Sequence, residues 1–292
     1  MKYNLTHITH YEYKEPVNIY HSLACLTPRT LPNQLCADFT IKITPKPTEI
    51  VARTDFFGNT VHYFSIHSVH TELTVLTTSQ IDRFPLGNDL SLFAKDMTCA
   101  RAREECWTST ALKIQLLQFM LPSPYVFWDE EIKTFAKDCF PNNQSLFDSV
   151  KMLCHKLFTT IKYVPESTTI NTPIKTVLHE KKGVCQDISH LAIACIRSMG
   201  FAARYVSGYL ETLPPPDKPK LQGSDASHAW ISVYIPDLGW CDFDPTNDMI
   251  PQERHITTAW GRDYSDVPPL KGIIFSAGKH TLKVAVDVLS LE

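Results

Sequence analysis

The stretch from Lys181 to Gly200, KKGVCQDISHLAIACIRSMG, constrains the fold of this chain more than any other part. Its apolar residues recur at intervals of three and four, which predicts a buried amphipathic helix that ends near Gly200. Cys185 stands in the first turn, outside the apolar stripe, where free backbone N–H groups and the helix dipole favour a thiolate. Gln186 and Asp187 are expected to cap the same turn. The stretch therefore predicts a core helix with a candidate nucleophile at its start.

Residues 1–82 predict a separate β-rich unit. Short runs rich in Thr, Val, Ile, Tyr and Phe alternate with turn signals such as Phe57–Thr60, FGNT, which is typical of antiparallel strands in a β-sandwich. From Arg83 to Phe140 the apolar residues fall at helical spacing and are interrupted by prolines, which predicts short helices. We expect residues 83–142 to form a helical linker region at the start of a second domain, 83–292.

The second domain combines helix and strand signals. Asn143–Tyr163 carries an apolar stripe at helical spacing and should pack beside the helix that begins near Cys185. Strand signals follow in FAARYVSGYLE, SHAWISVYIPDLGWCDFDPTND and HTLKVAVDVLS, and the last of these is expected to close the same sheet. The Pro-rich segment Leu213–Asp225 is expected to be an exposed loop at the rim of the site. The predicted class is α+β: an N-terminal antiparallel β-sandwich domain, then a core with a helical layer packed on an antiparallel sheet.

Charge and cysteine content argue against several classes of protein. The formal net charge is -3 and no long basic run appears, so no nucleic-acid partner is expected. The N-terminus has no continuous apolar core of a signal peptide or membrane span, which predicts a cytoplasmic protein without a membrane partner. Nine cysteines are scattered without a CxxC pair, so no zinc knuckle is expected, and most should be free thiols packed as small hydrophobic residues.

The second half of the chain holds the residue types that a cysteine nucleophile needs. A catalytic thiol requires a base that accepts and returns its proton, and a third group that holds this base in one tautomer. Cys185 begins the helix, His228 stands at the start of the strand SHAWISVY, and Asp244 ends the following strand. These three are the candidate catalytic residues, and acyl transfer is the predicted chemistry.

The loop between the two strands decides whether His228 and Asp244 can meet. A four-residue turn, Pro236–Gly239, would place Asp244 on the opposite face of the hairpin from His228. A five-residue loop instead pairs Tyr234 with Trp240, and Asp244 then shares a face with His228 as its diagonal neighbour. We predict the second register.

Three sequence blocks stand in order around these residues: GVCQDISHLAIACIRSMGFAARYVSGYL, SHAWISVYIPDLGWCDFDPTND and GRDYSDVPP. They closely resemble the bacterial transglutaminase-like proteins, which are often described as cysteine proteases, and the N-terminal unit resembles the N-terminal β region of that family. The resemblance implies a papain-like core in the second domain. It also implies that Cys185, His228 and Asp244 are nucleophile, base and orienting residue in amide chemistry, either hydrolysis or transfer to an amine.

Neighbouring side chains compete for these roles. Asp242 and Asp248 compete with Asp244, because Asp242 shares its strand face, and the match at FDPTN favours Asp244. His190 lies more than one helical turn after Cys185 and is expected to pack or cap rather than act as the base.

The leading interpretation is an enzyme that hydrolyses amide bonds of a peptide or protein through a thioacyl intermediate, because water is the default acceptor. Two alternatives stay open: a protein-glutamine acyl transferase, and a non-catalytic scaffold that binds peptides. No cofactor or metal is predicted, since no calcium loop of the EF-hand type is present. The sequence predicts no particular oligomeric state.

Overall fold

The structure, a computed structural model, describes residues 1–85, 96–108, 110–212, 225–274 and 278–291. Its strands are β1 (Lys2–Val17), β2 (Tyr20–Ala24), β3 (Gln34–Thr44), β4 (Glu49–Thr54), β5 (Thr60–Ile66), β6 (His70–Arg83), β7 (Lys162–Tyr163), β8 (Lys182–Gly183), β9 (Ala203–Leu210), β10 (Ala226–Ile235), β11 (Gly239–Phe243), β12 (His255–Gly261), β13 (Leu270–Ile274) and β14 (His280–Leu291). Its α-helices are α1 (Cys99–Thr108), α2 (Thr110–Leu117), α3 (Glu130–Lys137), α4 (Leu146–Thr160), α5 (Ile174–Glu180) and α6 (Cys185–Ser198).

Two antiparallel four-stranded sheets form the N-terminal unit, with strand orders β14-β1-β6-β3 and β13-β2-β5-β4. Alternate residues of these strands are apolar, so each sheet has one face to bury. Phe64 on β5 and Leu73 on β6 come from different sheets, and both are fully buried in one shared core. The predicted N-terminal β-sandwich is confirmed.

The last strand does not lie where the sequence analysis placed it. The prediction that HTLKVAVDVLS closes the sheet of the second domain was wrong, because β14 pairs along its length with β1, from His280 opposite Tyr13 to Leu291 opposite Lys2. β13 likewise pairs with β2. Strands β13 and β14 therefore complete the N-terminal sheets, although the sequence analysis included them in the second domain. Alternation along a strand shows which face is buried but not which strand is its partner.

The second unit is built on the antiparallel sheet β11-β10-β9-β12. Helix α6 packs on β9 and β10, and α3, α4 and α5 pack around α6. Leu191 and Cys195 from α6 are fully buried with Ile231 and Val233 from β10 in one core. The helical layer on an antiparallel sheet is as predicted, and so are the short helices α1 to α3 and the packing of α4 beside α6. Among the described residues, no helix combines the length and apolar character needed to cross a membrane.

Strand β12 connects the second sheet to the N-terminal unit. The Gln34 side chain donates to the backbone carbonyl of Thr257 at 2.7 Å and accepts from its N–H at 2.9 Å. Asn59 makes the same two bonds to the backbone of Trp260, at 2.9 and 3.0 Å. Side-chain amides thus satisfy backbone groups of β12 that no further strand pairs with. The edge strand of the second sheet is therefore held against the N-terminal unit.

Candidate active site

Helix α6 places Cys185 at its first residue. Val184 before it is extended, and its N–H donates to the Asp187 carboxylate at 2.9 Å, so Asp187 caps the helix as predicted. The Thr168 hydroxyl donates to the same carboxylate at 2.6 Å and fixes it. Cys185 itself is partly exposed, whereas the stripe behind it is buried. A rigid capped turn therefore presents the thiol at the surface, beside backbone N–H groups that have no partner within the helix.

The β10–β11 hairpin has the predicted register. Tyr234 pairs with Trp240, and Ile231 pairs with Phe243, so Asp244 follows immediately after the last pair. The ring of His228 and the carboxylate of Asp244 consequently meet, with 2.7 Å between Nε2 and Oδ2. This contact uses Nε2 and leaves Nδ1 as the ring nitrogen available to a nucleophile.

Asp244 is fully buried, and its carboxylate is held by donors on both oxygens. Oδ1 accepts from the backbone N–H groups of Thr246 and Asn247, at 3.0 and 3.2 Å. Oδ2 accepts from His228, from the Asn247 side chain at 2.8 Å, and from His255 Nε2 at 3.1 Å. Burial opposes the ionised form, but the hydrogen bonds from His228 and His255 outweigh it and hold the pKa of Asp244 well below its usual range. The group is a permanent anion at neutral pH.

The competing aspartates have other partners. Asp242 accepts from the Trp230 indole N–H at 3.1 Å. Asp248 is outside the sheet and contacts the exposed His155 at 2.7 Å. Of the three acids considered, the structure thus brings Asp244 to His228.

The electrostatics of His228 depend on both neighbours. Burial disfavours the charged ring, but hydrogen-bonding interactions with Asp244 and with the Cys185 side chain outweigh this and raise the pKa of His228 to about 10. The imidazole is therefore an imidazolium at neutral pH. Its side chain keeps 10% of its surface exposed, so a substrate can reach it. Cys185, His228 and Asp244 are thus brought together in one connected set.

Two residues of this site were not predicted from the sequence. Asn247 and His255 both donate to the carboxylate of Asp244. Asn247 lies within the FDPTN block, and its proximity to Asp244 along the chain was a usable signal. His255 begins β12, and it reaches Asp244 because β12 pairs with β9, next to β10. That strand order cannot be read from local sequence patterns.

Among the described residues, His228, Asp244 and His255 are the side chains whose ligand-type atoms cluster, within 4.8 Å of one another. Two imidazoles and a carboxylate suit a transition metal in principle. Here Nε2 of each histidine donates a hydrogen bond to Oδ2 of Asp244. A metal ion would have to displace both of these protons. The arrangement matches a hydrogen-bonded acid–histidine pair.

Two further side chains near the site, His190 and Tyr205, are buried. His190 is buried, stacks on Tyr125, and accepts from the backbone N–H of Tyr264 at 3.1 Å. Burial lowers the pKa of His190 to about 4, so it is a neutral packed residue, as expected. Tyr205 is also buried in the core. Of the Pro-rich segment Leu213–Asp225, residues 213–224 lie outside the described part of the chain.

Residues 3–82 match the family model of the bacterial transglutaminase-like N-terminal region. Residues 133–245, which contain all three candidate catalytic residues, match the model of the transglutaminase-like superfamily. An uncharacterized protein of Mycobacterium tuberculosis is 35% identical over 296 residues, which cover 100% of this chain and 93% of that protein. This chain belongs to the transglutaminase-like superfamily. The family resemblance seen in the sequence blocks is thereby confirmed.

Further comparisons agree with the fold of a transglutaminase-like protein. An uncharacterized protein of Mycobacterium leprae is 31% identical over 293 residues and covers 98% of both chains. The crystal structure of a proposed cysteine protease from Cytophaga hutchinsonii has a TM-score of 0.76 at 22% identity, covering 100% of this chain and 92% of that one. The predicted α+β class is confirmed.

Proposed function

We propose that this transglutaminase-like protein is a cysteine-dependent amide hydrolase that acts on peptides or proteins through Cys185, His228 and Asp244. The observation that carries the proposal is the double contact of His228, which binds Asp244 at 2.7 Å and interacts with the Cys185 side chain. A nucleophile, a base and an orienting anion in contact are the arrangement that acyl transfer requires. Membership of the superfamily supports the same chemistry.

In the first half of the reaction, Cys185 Sγ attacks the carbonyl carbon of the amide as a thiolate. The oxyanion forms near the N-terminus of α6, where the backbone N–H of Cys185 is free to donate to it. The C–N bond then breaks, and the imidazolium of His228 gives its proton to the departing amine. The products of this step are a free amine, a thioester on Cys185 and a neutral imidazole. Asp244 holds the ring in position throughout, because its own hydrogen bonds fix the carboxylate.

In the second half, the neutral His228 takes a proton from water, and the resulting hydroxide attacks the thioester carbon. The C–S bond breaks, the carboxylic acid leaves, and Cys185 regains the thiolate paired with the imidazolium. Cys185 and His228 are both partly exposed, so water has access to the acyl group. Water is therefore the expected acceptor, and an amine would have to be bound specifically to compete with it.

The test is an assay of peptide and protein substrates with the wild-type chain and Cys185→Ala. We expect release of peptide fragments or free amine from the wild type and none from the variant, with melting temperatures that agree within about 2 °C, since Cys185 is partly exposed. Cys36→Ala is the matched control, because Cys36 is also partly exposed and lies on β3 of the N-terminal unit. It should retain full activity.

A labelled primary amine added with a glutamine-bearing protein separates hydrolysis from transfer. Incorporation of the amine without hydrolysis would show that the protein is an acyl transferase that forms the same thioester, and not a hydrolase. Equal, non-zero turnover by the wild type and Cys185→Ala would exclude both enzymes. Peptide binding with no turnover by either chain would favour the remaining alternative, a non-catalytic scaffold that binds peptides.

A further inference from the structure

A cavity lies between the sandwich and the sheet β11-β10-β9-β12, on the hairpin face that carries both Asp242 and Asp244. Its volume is about 280 Å³. Loop residues such as Asn33 close it on the side of the N-terminal unit, and side chains of all four sheet strands form the opposite wall. His255 is part of that wall, whereas Cys185 and His228 are not. The cavity therefore adjoins the proposed acyl-transfer centre through His255, which donates to Asp244, but it does not contain the thiol.

Arg204 is the unusual residue of this cavity. It lies on β9 and is only 8% exposed. Its guanidinium is placed between two indoles, 4.3 Å from the ring centre of Trp240 and 3.7 Å from that of Trp260. It donates no hydrogen bond to any described residue, and its Nε is a buried donor without a partner. Burial lowers the pKa of Arg204 to about 9, which leaves it charged at neutral pH.

An unpaired buried guanidinium is costly, and most buried arginines have an acceptor. The stacked indoles cover the faces of the Arg204 group but cannot accept its in-plane N–H bonds. Those bonds are directed along the edge of the guanidinium, and Arg204 lines the cavity. The missing partner is thus an acceptor that enters the cavity in the plane of the group.

The other charged groups of the cavity define the charge of such a ligand. Arg83 is already engaged, since it donates to the backbone carbonyls of Gln252 at 2.8 Å and Asn33 at 3.1 Å. Asp242 accepts from the Trp230 indole and attracts Arg204 through its charge, but makes no hydrogen bond to it. Two arginines and one aspartate leave an excess of one positive charge among the lining residues. This balance favours a monoanion over a dianion.

We propose that this cavity binds a small monocarboxylate whose two oxygens pair with the edge of Arg204. A planar carboxylate matches the fork of a guanidinium, and bidentate pairing is the strongest form of this contact. The indoles of Trp230, Trp240 and Trp260 line the cavity and give an apolar body a surface to contact. A volume near the lower end for ligand pockets restricts the occupant to a small molecule.

Titration of the purified chain with benzoate tests this site, followed by tryptophan fluorescence and melting temperature. Benzamide is the matched probe, because it has nearly the same shape without the charge. Three of the five tryptophans line the cavity, so binding should change the emission. We expect a saturable response and a rise in melting temperature with benzoate, and neither with benzamide. Equal responses to the two probes, or no saturation with benzoate, would overturn the proposal, as would saturable binding of inorganic phosphate in its place.

Two variants should change the affinity for benzoate in opposite directions. Arg204→Lys keeps the charge but loses the paired donors, and should weaken benzoate binding about tenfold. Asp242→Asn removes the competing negative charge, keeps an acceptor for Trp230, and should strengthen binding. If Arg204→Lys does not fold, Asp242→Asn alone decides, and unchanged or weaker binding by it would contradict the proposal. Cys185→Ala should bind benzoate as the wild type does, so this result stands apart from the outcome of the hydrolase assay.

Discussion

Asp244 is the residue on which the chemistry of the site depends. It is fully buried, and five hydrogen bonds reach its two oxygens, two of them from histidine rings. Hydrogen bonds to a charged group contribute about 1.5–3 kcal/mol each, so the carboxylate is rigidly held and cannot turn away from His228. This rigidity fixes the tautomer and the direction of the imidazole.

The pH dependence of stability follows from the raised pKa of His228. The pKa of His228 in the folded protein, about 10, exceeds its unfolded value. The His228–Asp244 pair therefore makes its full contribution to stability below pH ~6.5, and this contribution is lost as pH rises through the folded pKa. We expect the free energy of unfolding to fall between pH 7 and 10, and His228 to titrate near pH 10 by NMR. Asp244→Asn should lower the pKa of His228 and flatten the dependence. A His228 resonance that titrates near pH 6.5 in the wild type would contradict this.

His255 supports Asp244 at the same carboxylate oxygen as His228. Asp244 has a lowered pKa, so its contribution to stability is present above its unfolded pKa, about 3.9, and is lost as pH falls through the folded value. His255→Phe removes one donor, so the pKa of Asp244 should rise and the acid-unfolding midpoint should move to higher pH. The free energy of unfolding at pH 7 should fall by about 1–3 kcal/mol. Circular dichroism during acid titration measures both.

His255→Gln is the matched control, because its amide can donate from nearly the same place as Nε2. It should retain most of the wild-type stability and acid midpoint. If the Phe and Gln variants behave alike, His255 serves as a packing residue and not as a donor to Asp244.

Strand β9 holds its two neighbours, β10 and β12, unusually close to itself. Gly208 on β9 pairs with His228 on one side and Thr257 on the other. A Cβ at this position would lie 2.1 Å from the carbonyl oxygen of Ile256 and 2.6 Å from the ring of Trp230. Both distances are too short for any side chain, so the strand spacing around the histidine requires glycine.

Gly208→Ala should therefore push β12 and Trp230 away from β9. We expect a loss of about 1–3 kcal/mol in the free energy of unfolding, measured by urea denaturation, together with a lower kcat, because the strand that carries His228 moves. Ser207→Ala on the same strand is the control and should change stability by less than about 1 kcal/mol. A Gly208→Ala chain with wild-type stability would show that β9 and β12 are not packed this closely.

The last strand, β14, pairs with the first strand, β1, and so ties the two ends of the described chain into one sheet. Val286 on β14 is buried in a cluster that includes Tyr3 of β1 and Ile256 of β12, so one contact region joins both units. Val284 lies two residues earlier on the same strand and is 51% exposed. The two valines form a matched pair for testing the position of β14.

Val286→Asp should destabilise the fold by about 3 kcal/mol or more, since it buries an unpaired charge, and Val284→Asp should change stability by less than about 1 kcal/mol. Thermal unfolding of the two variants measures the difference. Similar losses for both would place β14 outside the sandwich.

The sequence predicted those features that depend on local pattern or on blocks of residues. Helix α6 and the hairpin register follow from residues within one element or its neighbour in the chain, and the set of Cys185, His228 and Asp244 was predicted from residue types and the resemblance of the three blocks. The position of β14 and the role of His255 could not be predicted, because each depends on which distant strand becomes the partner. Arg204 was likewise read only as part of a strand, since its unpaired donors become visible once two tryptophans from other strands surround it.

Alkylation of Cys185 by iodoacetamide at pH 6 tests the central claim most directly, with each thiol followed by peptide mass spectrometry. Only the thiolate reacts, and Cys36 is an internal reference, because it is also partly exposed and burial raises its pKa. We predict that Cys185 reacts at least about tenfold faster than Cys36 in the wild type, and that His228→Gln removes this advantage. Equal rates for the two thiols, or a rate at Cys185 that His228→Gln leaves unchanged, would contradict the proposed nucleophile and its base.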